Sequence, residues 1–170
     1  MTAGPTFEAL ALPLFEPLYN YARWLTRDVD EAEDLVQETY LKAFRGFGSF
    51  TAGTNFRAWM YRILRNTFLT SRSGLRAVPP LSIDDDPVQY EGITEASTPE
   101  TIFFSRANAE ALRLAIEALP LPFREVILLS DIENMSYKEI AETLSIPVGT
   151  VTSRLMRARA KVREALRGSR

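Results

Sequence analysis

A proline-rich, acidic segment in the middle of the chain prevents the sequence from forming one continuous helical domain. Pro79 and Pro80 stop any helix there, because proline lacks a backbone donor and clashes with the preceding turn. The polar, turn-prone stretch from 84 to 87 follows. Order is expected to resume at Thr98, which can cap a helix that Pro99 begins. We therefore expect two blocks of structure joined by a linker over residues 74–100.

Both blocks carry apolar residues at helical spacing, and neither has a convincing alternation of polar and apolar residues. The predicted fold class is all-α, with two small helical domains, 1–73 and 101–170, on either side of a flexible acidic linker. The first domain is expected to hold helices over 7–25 (open to a break near Pro13 or Pro17), from an N-cap at Asp30 to about Phe44, and over 55–71. The second is expected to hold helices over 101–118, 123–130, 137–144 and about 150–166.

The composition argues against several classes of protein. The 170 residues include no Cys and no His, which removes disulfides, thiol nucleophiles, imidazole catalysis and Cys/His zinc sites. No apolar run approaches the ~20 residues that span a bilayer, and the first residues lack the pattern of a signal peptide. No metal-binding spacing or phosphate loop appears. We expect a cytoplasmic protein that is not an enzyme, has no cofactor and does not insert into a membrane.

The net charge of −2 hides a segregated distribution. Residues 1–73 carry eight bases and eight acids, and residues 74–100 carry six acids and one base. Residues 101–170 carry eleven bases and eight acids. Segregated charge bears on binding partners and not on the fold.

The sequence from Ser136 to Leu166 has the spacing of a helix-turn-helix. Ser136 and Glu139 form a capping box at the start of a short helix. A turn near Pro147 then leads into a longer helix with an apolar stripe from Val151 to Leu166. In this motif the N-terminal turns of the second helix enter the major groove of DNA.

The polar face of that last helix carries the residues that a recognition helix needs. Arginine can bond bidentately to guanine, hydroxyls reach other base edges, and the remaining bases contact phosphates. The candidate duplex-binding residues are Ser136, Tyr137, Lys138, Thr150, Ser153, Arg154, Arg157, Arg159 and Lys161. The simpler alternative is a solvated basic helix, but the capped helix, the turn and the buried stripe favour DNA binding.

Two helices of the first block have opposite charge. Residues 28–41 contain six acids and no base, whereas residues 51–73 contain four arginines and no acid. Acids in a first helical turn complement the helix dipole, but Asp34 and Glu38 lie deeper. The candidate protein-docking residues are Asp34, Gln37, Glu38, Leu41 and Phe44.

The positive helix and the glycine-rich loop before it combine aromatic rings, bases and amides. We expect Phe56, Trp59 and Ile63 on one apolar stripe, with Tyr61 on the flanking face. Rings at helical spacing are usually core, but unstacked single-stranded bases also require stacking and edge hydrogen bonds. The candidate single-strand-binding residues are Phe50, Asn55, Phe56, Trp59, Arg62, Ile63 and Asn66.

The motifs together resemble a known family. Residues 30–39 (DEAEDLVQET) and 56–63 (FRAWMYRI) with Asn66 resemble region 2 of extracytoplasmic-function sigma factors. Residues 137–141 (YKEIA), 147–155 (PVGTVTSRL) and 157–159 (RAR) resemble their region 4. Two departures stand out. Thr152 occupies a position where lysine is frequent in this family, and the stretch 70–73 is less basic than usual.

The resemblance implies a promoter-specificity subunit of bacterial RNA polymerase. The acidic helix would dock on the clamp helices of the largest subunit, and region 4 would meet the flap of the second-largest subunit. The loop and helix from Phe50 to Asn66 would capture the melted −10 strand, and the last helix would read the −35 element as duplex. The family also implies an anti-sigma factor. The alternative is a freestanding helix-turn-helix transcription regulator.

The acidic linker has its own predicted role. Residues 74–100 would reach about 90 Å when fully extended but average about 30 Å as a coil. Two turns of duplex span about 70 Å, so something must hold the linker extended between two promoter elements. We expect Asp84, Asp85 and Asp86 to lie in the basic RNA path of the polymerase, with a solvated spacer as the alternative.

Overall fold

The computed structural model describes residues 4–73 and 109–168, and every regular element within those ranges is helical. The predicted linker, with Asp84, Asp85 and Asp86, lies outside them, and so does the part of the expected 101–118 helix before Ala109. The chain divides into two compact units. We call the helices up to Ser73 the N-terminal unit and those from Ala109 the C-terminal unit. The all-α prediction is confirmed.

The N-terminal unit contains four helices. They are α1 (Phe7–Ala11), α2 (Phe15–Thr26), α3 (Val29–Gly46) and α4 (Phe56–Ser73), with short 3₁₀ turns at Leu12–Leu14 and Phe47–Ser49. The helix predicted over 7–25 is interrupted at Pro13, whereas Pro17 sits in the first turn of α2, where proline is tolerated.

The junction between α2 and α3 corrects the predicted cap. Arg27 adopts a left-handed conformation (φ 59°), which ends α2 and leaves Asp28 extended. The amide of Glu31 donates to the Asp28 carboxylate at 2.9 Å, so Asp28, and not Asp30, caps α3. This helix therefore starts at Val29 and runs two residues further than expected, to Gly46.

The core of the N-terminal unit lies where α2 and α3 meet α4. Leu18, Leu25, Val36 and Leu64 are buried there. The rings of Tyr21 and Tyr61 pack 5.2 Å apart and both are buried. The prediction that Tyr61 lies on the flanking face of α4 is wrong, because α4 turns this ring toward α2.

The C-terminal unit also contains four helices. They are α5 (Ala109–Glu117), α6 (Leu121–Ile127), α7 (Tyr137–Leu144) and α8 (Val148–Gly168). A π-helical turn follows α6 at Leu128–Ile132, in which the amide of Glu133 donates to the carbonyl of Leu128 at 2.9 Å. Sequence analysis expected an uninterrupted helix to Ser130 and missed this wider turn.

The capping box of α7 is confirmed. The Glu139 amide donates to the Ser136 hydroxyl at 3.1 Å, and the Ser136 amide donates to the Glu139 carboxylate at 3.4 Å. Three residues, Ser145 to Pro147, then connect α7 to α8, and Ser145 is left-handed (φ 57°). The carbonyl of Pro147 accepts from Thr150 and Val151, so α8 begins slightly earlier than expected.

Candidate nucleic-acid-binding and docking surfaces

The last helix, α8, is held by a buried apolar stripe. Val151, Leu155, Ala158 and Val162 are all buried, and α8 packs on α5 and α6. The predicted stripe is confirmed except at Leu166, which is only half-buried. The polar face therefore points away from the core, as a recognition helix requires.

The candidate duplex-binding side chains on α8 differ in how far they are exposed. Thr150, Ser153, Arg154 and Arg157 are half-buried, whereas Lys161 is exposed. The Ser153 hydroxyl donates to the carbonyl of Thr150 at 3.1 Å. Its oxygen lone pairs remain able to accept from a nucleotide base. The helix thus carries hydroxyls and two guanidinium groups along its first three turns.

Two predicted DNA-binding side chains of α8 have partners within the C-terminal unit. The guanidinium of Arg159 forms a bidentate ion pair with Asp131, at 2.7 and 3.2 Å. The ammonium of Lys161 lies over the ring of Phe123, 5.7 Å from its centre. Sequence analysis missed Asp131, because no spacing rule links it to a residue 28 positions later.

The start of α7 carries the remaining duplex-binding candidates. Ser136 and Lys138 are exposed and Tyr137 is half-buried. Since the Ser136 hydroxyl already accepts from the Glu139 amide, its role in capping is shown by the geometry. Its predicted contact with the DNA backbone stays a prediction.

The glycine-rich loop before α4 gathers four aromatic rings. The ring of Phe50 lies 5.2 Å from those of Phe56 and Trp59 and stacks on Phe47 at 6.0 Å. Phe56 is buried beneath them, whereas Phe50 and Trp59 are half-buried. Phe56 therefore supports the cluster, whereas Phe47, Phe50 and Trp59 keep part of their surface accessible to solvent.

The remaining candidates of α4 follow Trp59 along the helix. Arg62, Ile63 and Asn66 follow it at positions that share one helical face. Arg62 and Ile63 are half-buried and Asn66 is exposed. The seventh candidate, Asn55, caps α4, since its side-chain carbonyl accepts from the Ala58 amide at 3.0 Å.

The five docking candidates on α3 all project to solvent. Asp34, Gln37 and Glu38 are exposed, and so are Leu41 (55%) and Phe44 (61%). Lys42 pairs with Glu38 at 3.4 Å and also donates to Thr67 on α4 at 3.3 Å. We call Asp34, Gln37, Glu38, Leu41 and Phe44 the acidic–apolar face. It combines negative charge with large unprotected apolar side chains.

Tyr40, also on α3, connects this helix to α1. Its hydroxyl donates to the carbonyl of Ala11 at 2.6 Å, which ties α3 to the end of α1. Burial raises the pKa of Tyr40 to about 12, so the phenol stays neutral at physiological pH. The rings of Phe7 and Phe15 pack against it at 6.4 and 5.9 Å.

Within residues 4–73 and 109–168, no group of three or more acidic, Cys or His side chains is placed to hold a metal ion. None of the helices in these ranges is long and apolar enough to cross a membrane.

Known protein families match the two units separately. The Sigma-70 region 2 family matches residues 14–77, and the Sigma-70 region 4 family matches residues 109–162. The chain is 36% identical over 166 residues to the ECF RNA polymerase sigma factor SigE of Mycolicibacterium smegmatis. It is 36% identical over 138 residues to the ECF RNA polymerase sigma-E factor of Escherichia coli.

The extent of these matches differs. The alignment with the mycobacterial relative covers 96% of this chain and 63% of that protein, and the alignment with the Escherichia coli relative covers 78% and 72%.

Among solved structures, the chain is similar to the sigma factor RpoE of Bartonella quintana in complex with the anti-sigma factor NepR. That match has a TM-score of 0.72, 32% identity and coverage of 96% and 98% of the two chains. It is also similar to CnrH in complex with the cytosolic domain of CnrY, with a TM-score of 0.67, 25% identity and coverage of 97% and 92%.

Proposed function

The chain belongs to the family of extracytoplasmic-function (ECF) RNA polymerase sigma factors, and from that premise we propose that it binds core RNA polymerase and directs promoter-specific transcription initiation. One observation carries the proposal. The same chain has a basic helix-turn-helix on one unit and an acidic–apolar face beside an aromatic loop on the other. Sigma factors confer specificity on the polymerase and are not themselves enzymes.

The C-terminal unit is proposed to read the −35 element as duplex DNA. Arg154 lies in the second turn of α8 and Arg157 in the third, and both lie to the side of the buried stripe away from Arg159. A recognition helix places such residues against base edges in the major groove. Lys138 and Lys161 would contact phosphates and supply affinity that falls with salt.

The N-terminal unit is proposed to capture the melted −10 strand. Phe50 and Trp59 offer stacking surfaces beside Arg62 and Asn66. Stacked aromatic rings hold extruded bases, and amides and guanidinium groups bond to their edges. Asn55 and Phe56 would support this site through the cap and the buried ring.

The acidic–apolar face of α3 is proposed to dock on the clamp helices of the largest polymerase subunit. Exposed apolar side chains ringed by charge are typical of protein-binding surfaces. The C-terminal unit would meet the flap of the second-largest subunit, and Asp84 to Asp86 would enter the RNA path.

The relative RpoE is solved with an anti-sigma factor, and we propose that a protein of this class masks the same surfaces here. The chain would act in the cytoplasm, where polymerase and promoter DNA meet.

The experiment is run-off transcription from genomic fragments with purified core RNA polymerase and the full chain. We expect transcripts that start at a small set of sites and require the chain, with footprints near −35 and −10. The matched control is Arg113→Ala. Arg113 forms ion pairs with Glu110 and Glu117, and all three residues lie on α5. The substitution should leave the transcripts unchanged. A chain that stimulates transcription only when another sigma factor is present would be a freestanding regulator, and the proposal would fail.

The linker has a separate test. Replacing Asp84, Asp85 and Asp86 by Asn removes three negative charges from the proposed RNA path. We expect altered abortive synthesis and promoter escape with promoter binding retained. Unchanged abortive products would leave the linker as a spacer without affecting the sigma-factor assignment.

A further inference from the structure

The ion pair between Arg159 and Asp131 is largely shielded from solvent. The side chains are only 19% and 14% exposed, and a second contact joins Arg159 to the Ser130 hydroxyl at 3.4 Å. By contrast, the Glu38–Lys42 and Glu31–Arg72 pairs are roughly half-exposed. A shielded bidentate pair is screened less by solvent and holds a more definite geometry.

The two partners lie on different elements of the C-terminal unit. Arg159 is in the middle of α8, and Asp131 is in the π-helical turn after α6. That turn is anchored in the core, because Leu128 and Leu129 are fully buried. The pair therefore ties the candidate recognition helix to a fixed point of the unit.

Helix geometry separates Arg159 from the side chains that face DNA. At 3.6 residues per turn, Arg159 lies about 140° around α8 from Arg154 and about 160° from Arg157. Thr150, Ser153 and Lys161 fall on the same side as those two arginines. Arg159 is thus on the far side of α8 from the proposed DNA-binding face, beside the buried stripe.

We propose that Arg159 is a positioning residue, which sets the rotation of α8 through Asp131 and does not itself contact DNA. The apolar stripe fixes α8 by non-directional contacts, and Ala158, at its centre, has a small side chain that resists rotation weakly. The bidentate pair constrains the rotation of α8 about its axis, because a planar guanidinium matches a carboxylate in one orientation. This inference rests on the proposed function and replaces the predicted DNA contact at Arg159.

The test measures binding of the full chain, across a salt series, to promoter duplexes identified by run-off transcription. The variants are Arg159→Gln, Asp131→Asn and the two combined. We expect each single substitution to weaken cognate binding by roughly five- to tenfold, and the double to be no weaker than the worse single, since both break one interaction. The slope of affinity against salt should stay unchanged because no phosphate contact is lost. Lys161→Gln is the positive control, with an expected reduction of that slope.

The opposite result is equally specific. If Arg159 contacts a phosphate, Arg159→Gln lowers the salt slope by about one charge, and Asp131→Asn leaves affinity unchanged or raises it. Either finding overturns the proposal. If the chain and core polymerase give no promoter-specific run-off transcripts, no such duplex is identified and the proposed function fails instead.

A charge exchange keeps the test decisive if the single variants fold poorly. Asp131→Arg combined with Arg159→Asp restores opposite charges across the same gap. We expect the exchanged chain to recover most of the cognate affinity lost by Arg159→Asp alone. An exchanged chain that is well folded by circular dichroism but binds no better than Arg159→Asp would contradict a positioning role.

Discussion

The two units present exposed helices of opposite chemical character. On α3 of the N-terminal unit, the acids Asp34 and Glu38 precede Leu41 and Phe44, which are 55% and 61% exposed. On α8 of the C-terminal unit, bases and hydroxyls form the polar face, and the most exposed large apolar side chain is Val148, at 47%. The first face can bind by burying apolar surface, whereas the second can bind mainly by charge and hydrogen bonds. Association should therefore depend on salt very differently at the two faces.

The largest expected effect tests the apolar contribution of the acidic–apolar face. Leu41→Ala combined with Phe44→Ala should weaken binding to core polymerase by about 2–4 kcal/mol, since exposed apolar anchors at an interface carry most of its energy. Titration of labelled chain with core enzyme measures this loss. Because the apolar contribution is not screened, the loss should be similar at low and high salt.

The C-terminal unit offers a matched control for that substitution. Leu114 on α5 is 53% exposed, comparable to Leu41. Leu114→Ala should leave polymerase affinity unchanged. An equal loss from Leu114→Ala, or a double variant that binds normally, would remove the special status of the acidic–apolar face.

The next largest effect tests DNA binding by the polar face of α8. Arg154→Ala should cost about 1–3 kcal/mol on cognate duplex and relax specificity at one position of the site. Lys161→Ala should instead weaken binding to all sequences alike and reduce the salt dependence. Fluorescence anisotropy on cognate and scrambled duplexes separates the two. Equal losses on both duplexes for Arg154→Ala would make Arg154 a phosphate contact.

Sequence reasoning worked best where a single periodic pattern dominated. On α8 the apolar residues recur on one stripe with charges on the other side, and four of the five predicted positions are buried. The capping box at Ser136 is equally local, because both of its hydrogen bonds join residues three apart. Such features depend on nearby residues alone.

The errors arose where a distant contact or an unfavoured backbone conformation decides the outcome. On α4, aromatic residues occur on more than one face, and only packing against Tyr21 of α2 selects Tyr61 as core. Asp28 and Asp30 are both followed by an acid three residues later, and the left-handed Arg27 decides between them. Arginine is not favoured in that conformation, so local propensity does not predict it. The π-helical turn that places Asp131 was missed for the same reason.

The cap of α3 provides a smaller effect that is confined to one unit. Asp28→Ala should destabilise the N-terminal unit by about 1 kcal/mol, since the Glu31 amide loses its partner. Both tryptophans, Trp24 and Trp59, lie in this unit, so urea denaturation followed by their fluorescence reports on it alone. Asp30→Ala is the control, with little expected change. If Asp30→Ala proves as costly as Asp28→Ala, the assignment of the cap is wrong.

The smallest effect concerns Tyr40 and depends on pH. Tyr40→Phe removes the hydrogen bond to the Ala11 carbonyl and should cost about 0.5–1.5 kcal/mol near neutral pH. Burial raises the pKa of Tyr40 from 10.0 to about 12, so the neutral phenol favours folding. That stability is fully present below pH 10 and is lost as the pH rises from 10 to 12. Urea denaturation at pH 8 and pH 11, followed by tryptophan fluorescence, should therefore show a smaller decline for Tyr40→Phe than for wild type. Identical declines would mean that Tyr40 ionises as easily in the folded chain as in the unfolded one.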